Sequence, residues 1–168
     1  MTRTIRTLLL VLTAAAVTAV APTLHAGDDT ATGDEAAIRQ AVQNYADSVY
    51  RVKPELVAES IHPKLQKVGY ARRGEGEEYR ELWMNFYELQ ELAANWNKEG
   101  RFDPETAKQE IRVLDRLDRT AVARLDAEWG IDFFHLAKID GEWKIMNVIW
   151  QTYPSEAMPK AEESAGGE

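Results

Sequence analysis

From residue 109 to residue 151 the apolar period of the chain is two, and that stretch limits the fold more than any other feature. Ile111–Asp115, Ala121–Trp129, Ile131–Ile139 and Glu142–Gln151 read as four strands. The breaks between them carry turn residues: Asp118-Arg119, Gly130 and Asp140-Gly141. Asp-Gly is a strong two-residue hairpin signal, because both positions of the favoured turn need positive φ. Four strands in direct succession make an antiparallel meander, and one face of that sheet must be covered.

The cover comes from the residues before it. Ile38, Val42, Tyr45 and Val49 recur at spacings of 4, 3 and 4, which predicts a helix starting near Asp34. Lys53-Pro54-Glu55 opens a short second helix that His62-Pro63 ends, and Leu65 to Arg72 alternates weakly as a strand. Leu82, Phe86, Leu89, Ala93 and Trp96 predict a long third helix over Tyr79–Glu99, with Gly100 as its stop. The fold class is therefore α+β, a curved antiparallel sheet wrapped around N-terminal helices.

The ends read differently. Arg3 and Arg6 precede the apolar run from Leu8 to Ala21, and small residues up to Ala26 follow. That is the layout of a secretory signal peptide over 1–26, and the run is shorter than a membrane-spanning helix needs. The expected destination is an export compartment, the periplasm of a bacterium, with no membrane association after cleavage. Residues 27–33 read as a flexible lead-in and 154–168 as a disordered acidic tail. All fifteen aromatic residues lie between Tyr45 and Tyr153, so the folded unit is 34–153.

Composition narrows the chemistry. With no Cys there is no disulfide, thiolate nucleophile or Cys-based metal site. A net charge of −8 argues against nucleic acid as partner. No dedicated metal or cofactor motif is present.

Register places Ala123, Leu125, Phe134, Leu136, Trp143, Ile145 and Ile149 on one face, with Asn147 as a polar interruption. The other face carries Arg124, Asp126, Phe133, His135, Lys144, Met146, Val148 and Trp150. A one-residue slip would exchange the two sets. Two residues are candidates for acid–base catalysis. His62 serves as a general acid or base at the pocket mouth, unless it only bonds local backbone; Asp126 serves if burial raises its pKa, unless it faces solvent or pairs with Arg124 or Arg112. Candidates for contacting a ligand are Tyr70, Trp83, Tyr87 and Trp150 as flat walls and His135 and Asn147 as polar contacts; the competing role for each is packing or local hydrogen bonding.

Ile38 to Tyr45, Ile61-His62-Pro63, Asp132 to Leu136 and the run Asp140-Gly141-Glu142-Trp143-Lys144-Ile145-Met146-Asn147 together resemble the nuclear-transport-factor-2-like superfamily. Within it the chain is most similar to the lumazine-binding family, beside the polyketide-cyclase-like and ketosteroid-isomerase-like groups. The resemblance covers 34–153 and implies a cone-shaped, cystatin-like α+β barrel with a pocket at its open end, often dimeric. It carries no catalytic residue over. The expected function is binding of a small apolar or aromatic molecule in the barrel. Two alternatives stand beside it: an isomerase, dehydratase or cyclase using His62 or Asp126, and a structural homodimerisation module.

Overall fold

The computed structural model describes residues 26–74 and 77–154, with side chains from residue 32 onward. The signal segment (save Ala26) and the tail after Pro154 lie outside the described residues. Helix α1 spans Ala26–Tyr50, so it begins eight residues before Asp34 and takes in the segment expected as a flexible lead-in. Its apolar stripe is the one read from the spacing: Ile38, Val42, Tyr45 and Val49 are all buried. Helix α2 (Glu55–Ser60) follows, then strand β1 (Ile61–Ala71), which starts earlier and runs longer than the alternation around Leu65–Arg72 suggests.

The long third helix does not form. Its first turn is strand β2 (Arg80–Met84), and helix α3 covers only Phe86–Asn95. The divider is Asn85. Its side chain accepts from the backbone N–H of Tyr87 and Glu88, and the Glu88 side chain accepts from the Asn85 N–H at 2.7 Å. This reciprocal cap satisfies helix-start donors that would otherwise have no partner. The spacing from Leu82 to Phe86 imitates one helical turn across the break.

Strands β3 (Gln109–Arg116), β4 (Thr120–Ala127), β5 (Gly130–Ile139) and β6 (Glu142–Gln151) form the expected meander. The six strands lie in the order β2-β1-β6-β5-β4-β3. The sheet is curved but not closed, with β2 and β3 as edges. It is also not wholly antiparallel: β1 runs parallel to β6. That ladder is irregular between Ile61 and Gln66, around Pro63, which has no N–H to contribute.

Register corrects the face assignment in one place. The turn at Asp140-Gly141, with φ of 51° and 88°, pairs Ile139 with Glu142 and Leu136 with Ile145 as expected. Beyond it, His135 pairs with Asn147 and Phe134 with Val148, so Met146 is an extra residue in β6. A one-residue bulge reverses every later side chain. Val148 is fully buried, Trp150 turns inward, and Asn147 and Ile149 leave the covered face, Ile149 at 43% exposure. In the β4–β5 hairpin the pairing slips by two: Leu125 meets Asp132, and Ala123 meets Phe134. An even slip leaves the faces unchanged.

The helices fill the concave side. Tyr45 packs edge-on to Phe134 and Trp129, with centroids 5.0 and 6.3 Å apart. Tyr50 joins Trp96, Phe102 and Trp129 in a second aromatic cluster. Its hydroxyl donates to the Lys108 carbonyl at 3.0 Å and accepts from the Glu128 N–H at 2.8 Å, tying the C-terminal end of α1 to the sheet.

Candidate functional site

Beneath α3 the concave face holds a partly open cavity of about 180 Å³. Register explains its lining. Lys67 of β1 lies opposite Met84 of β2, and Gly69 lies between Leu82 and Trp150. Leu82, Met84, Lys67 and Trp150 thus share the inner face, joined by Leu92 and Trp96 of the helix layer, Val49 of α1 and Trp129 from the β4–β5 turn. Gly69 is a requirement of this packing. A Cβ there would lie 1.9 Å from Nε1 of Trp150, so only glycine lets the indole fold across β1.

One corner of this apolar enclosure is ionic. Lys67 is 3% exposed and Asp132 fully buried. Nζ of Lys67 lies 3.6 Å from Oδ1 of Asp132 and hydrogen-bonds to the Tyr45 hydroxyl. That hydroxyl donates to Asp132 Oδ1 at 3.0 Å, and Nε1 of Trp129 donates to Oδ2 at 2.5 Å. Lys67 also stands over the rings of Tyr45 and Trp150, 4.9 and 5.4 Å from their centroids. Burial pushes the Asp132 carboxyl above the ordinary aspartate value, opposed by Lys67 and the Trp129 and Tyr45 hydrogen bonds. Burial pushes the Lys67 ammonium down, opposed by Asp132. Burial, reinforced by Asp132, holds the Tyr45 hydroxyl well above its usual range. The cavity therefore presents flat apolar walls and a single cationic donor whose counterion is already in place.

Of the residues singled out from sequence, Trp150 is the one that lines this cavity. Tyr70, Trp83 and Tyr87 are 38%, 68% and 76% exposed; on β2 it is the neighbours of Trp83 that point inward. Tyr70 and Trp83 both donate to the Glu81 carboxylate, at 3.1 and 2.6 Å. Asn147 donates to the Gln66 carbonyl at 2.9 Å across the β1–β6 ladder. His135 lines a shallow outer groove with Leu117, Val122 and Met146.

His62 is the second residue of β1, not the end of a helix, and its Nδ1 accepts from the Lys64 N–H at 3.1 Å. Asp126 is 5% exposed, gripped by Arg124 at 2.6 and 2.8 Å and by Arg112 at 3.1 Å. Arg124 above all, then Arg112, holds its carboxyl below the ordinary aspartate range, the opposite of what a raised-pKa base requires. Their strands are three spacings apart, about 14 Å, so the structure does not bring His62 and Asp126 together. Among the described residues no three His, Asp or Glu side chains gather as a metal site.

Sequence reasoning missed Lys67, Asp132, Tyr45 and Trp129 as a group. The signal for Asp132 was present: it stands two residues before Phe134, so strand parity puts it on the covered face. Lys67 likewise shares parity with the buried Leu65.

A family profile described as "Putative lumazine-binding" matches residues 33–151. The chain belongs to that family. Solved structures show the same fold. A nuclear-transport-factor-2-like protein of unknown function from Shewanella baltica is 21% identical, covering 74% of this chain and 97% of its own, with a TM-score of 0.59. A similar protein with a cystatin-like fold from Novosphingobium aromaticivorans is 11% identical, covering 82% and 94%, with a TM-score of 0.54. A ketosteroid-isomerase-like protein from Erwinia carotovora is 18% identical, covering 71% and 95%, with a TM-score of 0.50. These structures show that the chain has the fold of nuclear-transport-factor-2-like proteins. No curated protein matches the chain.

Proposed function

We propose that this lumazine-binding family member is an exported protein that holds a small apolar or aromatic molecule in the cavity beneath α3. The observation that carries this is the cavity itself: about 180 Å³, walled by Trp96, Trp129 and Trp150, with Lys67 as its single cation. Folded proteins leave few voids of this size, and those that persist in apolar surroundings accept apolar guests. The family description supports a small-molecule ligand, and the signal-like layout of 1–26 supports export.

The test is a titration of the protein with indole, followed by the indole N–H resonances of its tryptophans. Trp96, Trp129 and Trp150 should shift together, and Leu92→Phe, which fills the cavity, should abolish the effect. Absence of any shift at millimolar indole overturns the reading. Export is tested by N-terminal sequencing of protein recovered from the exporting cell; a chain starting at Gly27 supports it, and one still carrying Arg3 does not.

A second reading, proton transfer on a bound substrate, now draws on Lys67 with Tyr45 and Asp132 behind it, because Lys67 lines the cavity and neither His62 nor Asp126 does. Burial lowers Lys67 and raises Asp132, which moves both toward neutral pH, where a general acid or base works best. Turnover lost in a Lys67→Met variant that still binds ligand would select this reading. Homodimerisation is proposed for the outer sheet face, where Phe133 and Ile149 are 42% and 43% exposed. Sedimentation showing only monomer at high concentration refutes it.

A further inference from the structure

The charges of Lys67 and Asp132 cancel before any ligand arrives. Both side chains are buried, at 4% and 0% exposure; Lys67 is the one charged residue among those that line the cavity, and Asp132 stands behind it. The Lys67 ammonium has three N–H groups. The Tyr45 hydroxyl takes one and Asp132 faces a second, which leaves a third with no oxygen or nitrogen acceptor among the described residues, only the face of the Trp150 ring. Asp132 is the opposite case, with both oxygens engaged by Tyr45 and Trp129 as well as by Lys67.

A neutral acceptor atom would complete Lys67 without changing the net charge of the enclosure. A carboxylate of the same shape would bring a negative charge among indoles, where the one cation is already neutralised. Its lost hydration would then go uncompensated. Size adds a second limit. An apolar cavity of about 150 Å³ holds one benzene ring, so about 180 Å³ admits one ring with a small substituent. We infer that the cavity selects neutral single-ring aromatic compounds bearing one carbonyl-type acceptor and rejects the matching carboxylates, with Asp132 as the residue that sets this preference. The inference rests on the cavity being the ligand site.

Benzamide, benzoate and toluene are the probes, titrated separately into the full chain at pH 7 by calorimetry or by the tryptophan N–H resonances. Benzamide should bind at least about tenfold more tightly than benzoate, since one uncompensated charge outweighs a tenfold difference. Asp132→Asn should invert that order, because Lys67 is then left without a counterion and a carboxylate replaces it. The amide suits the site: its oxygen still accepts from Trp129 while its N–H₂ donates to the Tyr45 hydroxyl. Lys67→Met should erase the advantage of benzamide over toluene.

Benzoate binding as tightly as benzamide in the wild type, or an unchanged order in Asp132→Asn, overturns the inference. If Asp132→Asn does not fold, Lys67→Met decides: a retained preference for benzamide over toluene overturns it. Equal binding of all three probes leaves the cavity as a ligand site and removes the charge rule. Binding of none removes the ligand site itself.

Discussion

Asp132→Ala exposes what the buried ionic corner contributes. Three groups converge on that carboxylate: Tyr45 Oη at 3.0 Å, Trp129 Nε1 at 2.5 Å and Lys67 Nζ at 3.6 Å. Alanine removes the acceptor for two donors and the counterion for an ammonium that is 4% exposed. Removing one member of a buried pair costs about 3–5 kcal/mol, because the remaining charge stays desolvated. The two orphaned donors act in the same space, so their penalties do not simply add. For a domain of this size the loss corresponds to roughly 10–20 °C in melting temperature. The assay is urea unfolding followed by tryptophan fluorescence at pH 7 and again near pH 10. The pH sign follows from Lys67. Its folded pKa is lowered, and losing Asp132 lowers it further. Between that value and the unfolded value of about 10.4 the unfolded chain binds more protons, so stability rises with pH. The deficit of the variant should therefore shrink toward pH 10. Lys67→Met should lose less, because Asp132 keeps Tyr45 and Trp129 and accommodates a proton. A loss below about 1 kcal/mol at pH 7, or a deficit that grows with pH, refutes the reasoning.

Other substitutions test the frame. Gly69→Ala places a Cβ 1.9 Å from Trp150 Nε1 and should expel the indole from the cavity wall, costing about 1–3 kcal/mol in a melt and abolishing the Trp150 response to indole. Asp126→Asn should cost about 1–2 kcal/mol at pH 7, a value reduced by the exposure of Arg112, 55% in its side chain. Because the folded pKa of Asp126 is depressed, that stabilisation is complete above the unfolded value near 3.9 and fades as pH falls through the folded value; acid titration of both proteins should show the gap closing there. Asn85→Ala removes the cap that divides β2 from α3 and should cost about 1 kcal/mol in urea unfolding.

The meander was legible because Asp140-Gly141 pins one hairpin and alternation extends from it. Even the two-residue slip between β4 and β5 kept the inward set, since parity survives an even shift. The bulge at Met146 was not legible: Val148, Ile149 and Trp150 are all apolar, so alternation cannot tell which of them reversed. The break at Asn85 was hidden by a four-residue spacing that a helix and a strand–cap–helix share, although Asn85 and Glu88 stand at capping-box positions. The ionic corner escaped for a different reason. A charge inside an apolar run reads as solvated, and only the pairing of β1, β6 and β5 shows that Lys67 and Asp132 flank the strand carrying Trp150. Asp126 was a candidate base unless it faced solvent or paired with Arg124 or Arg112, and both arginines hold it.

The parallel pairing of β1 with β6 sets an order of events. Residues 66–70 take as partners residues 147–151, so the ladder that joins the β1–β2 arm to the meander links positions about eighty apart in the chain. Contacts of such separation form late, after the local hairpins and helices. The meander pairs only strands that are neighbours in sequence, whereas the β1–β2 arm has nothing to dock on until β6 is in place. A nascent or truncated chain that stops before Val148 therefore lacks both the indole of Trp150 and the strand that holds Lys67 opposite Asp132. Its lysine and aspartate would remain in water, unpaired, and the cavity would be the last feature of the molecule to come into being.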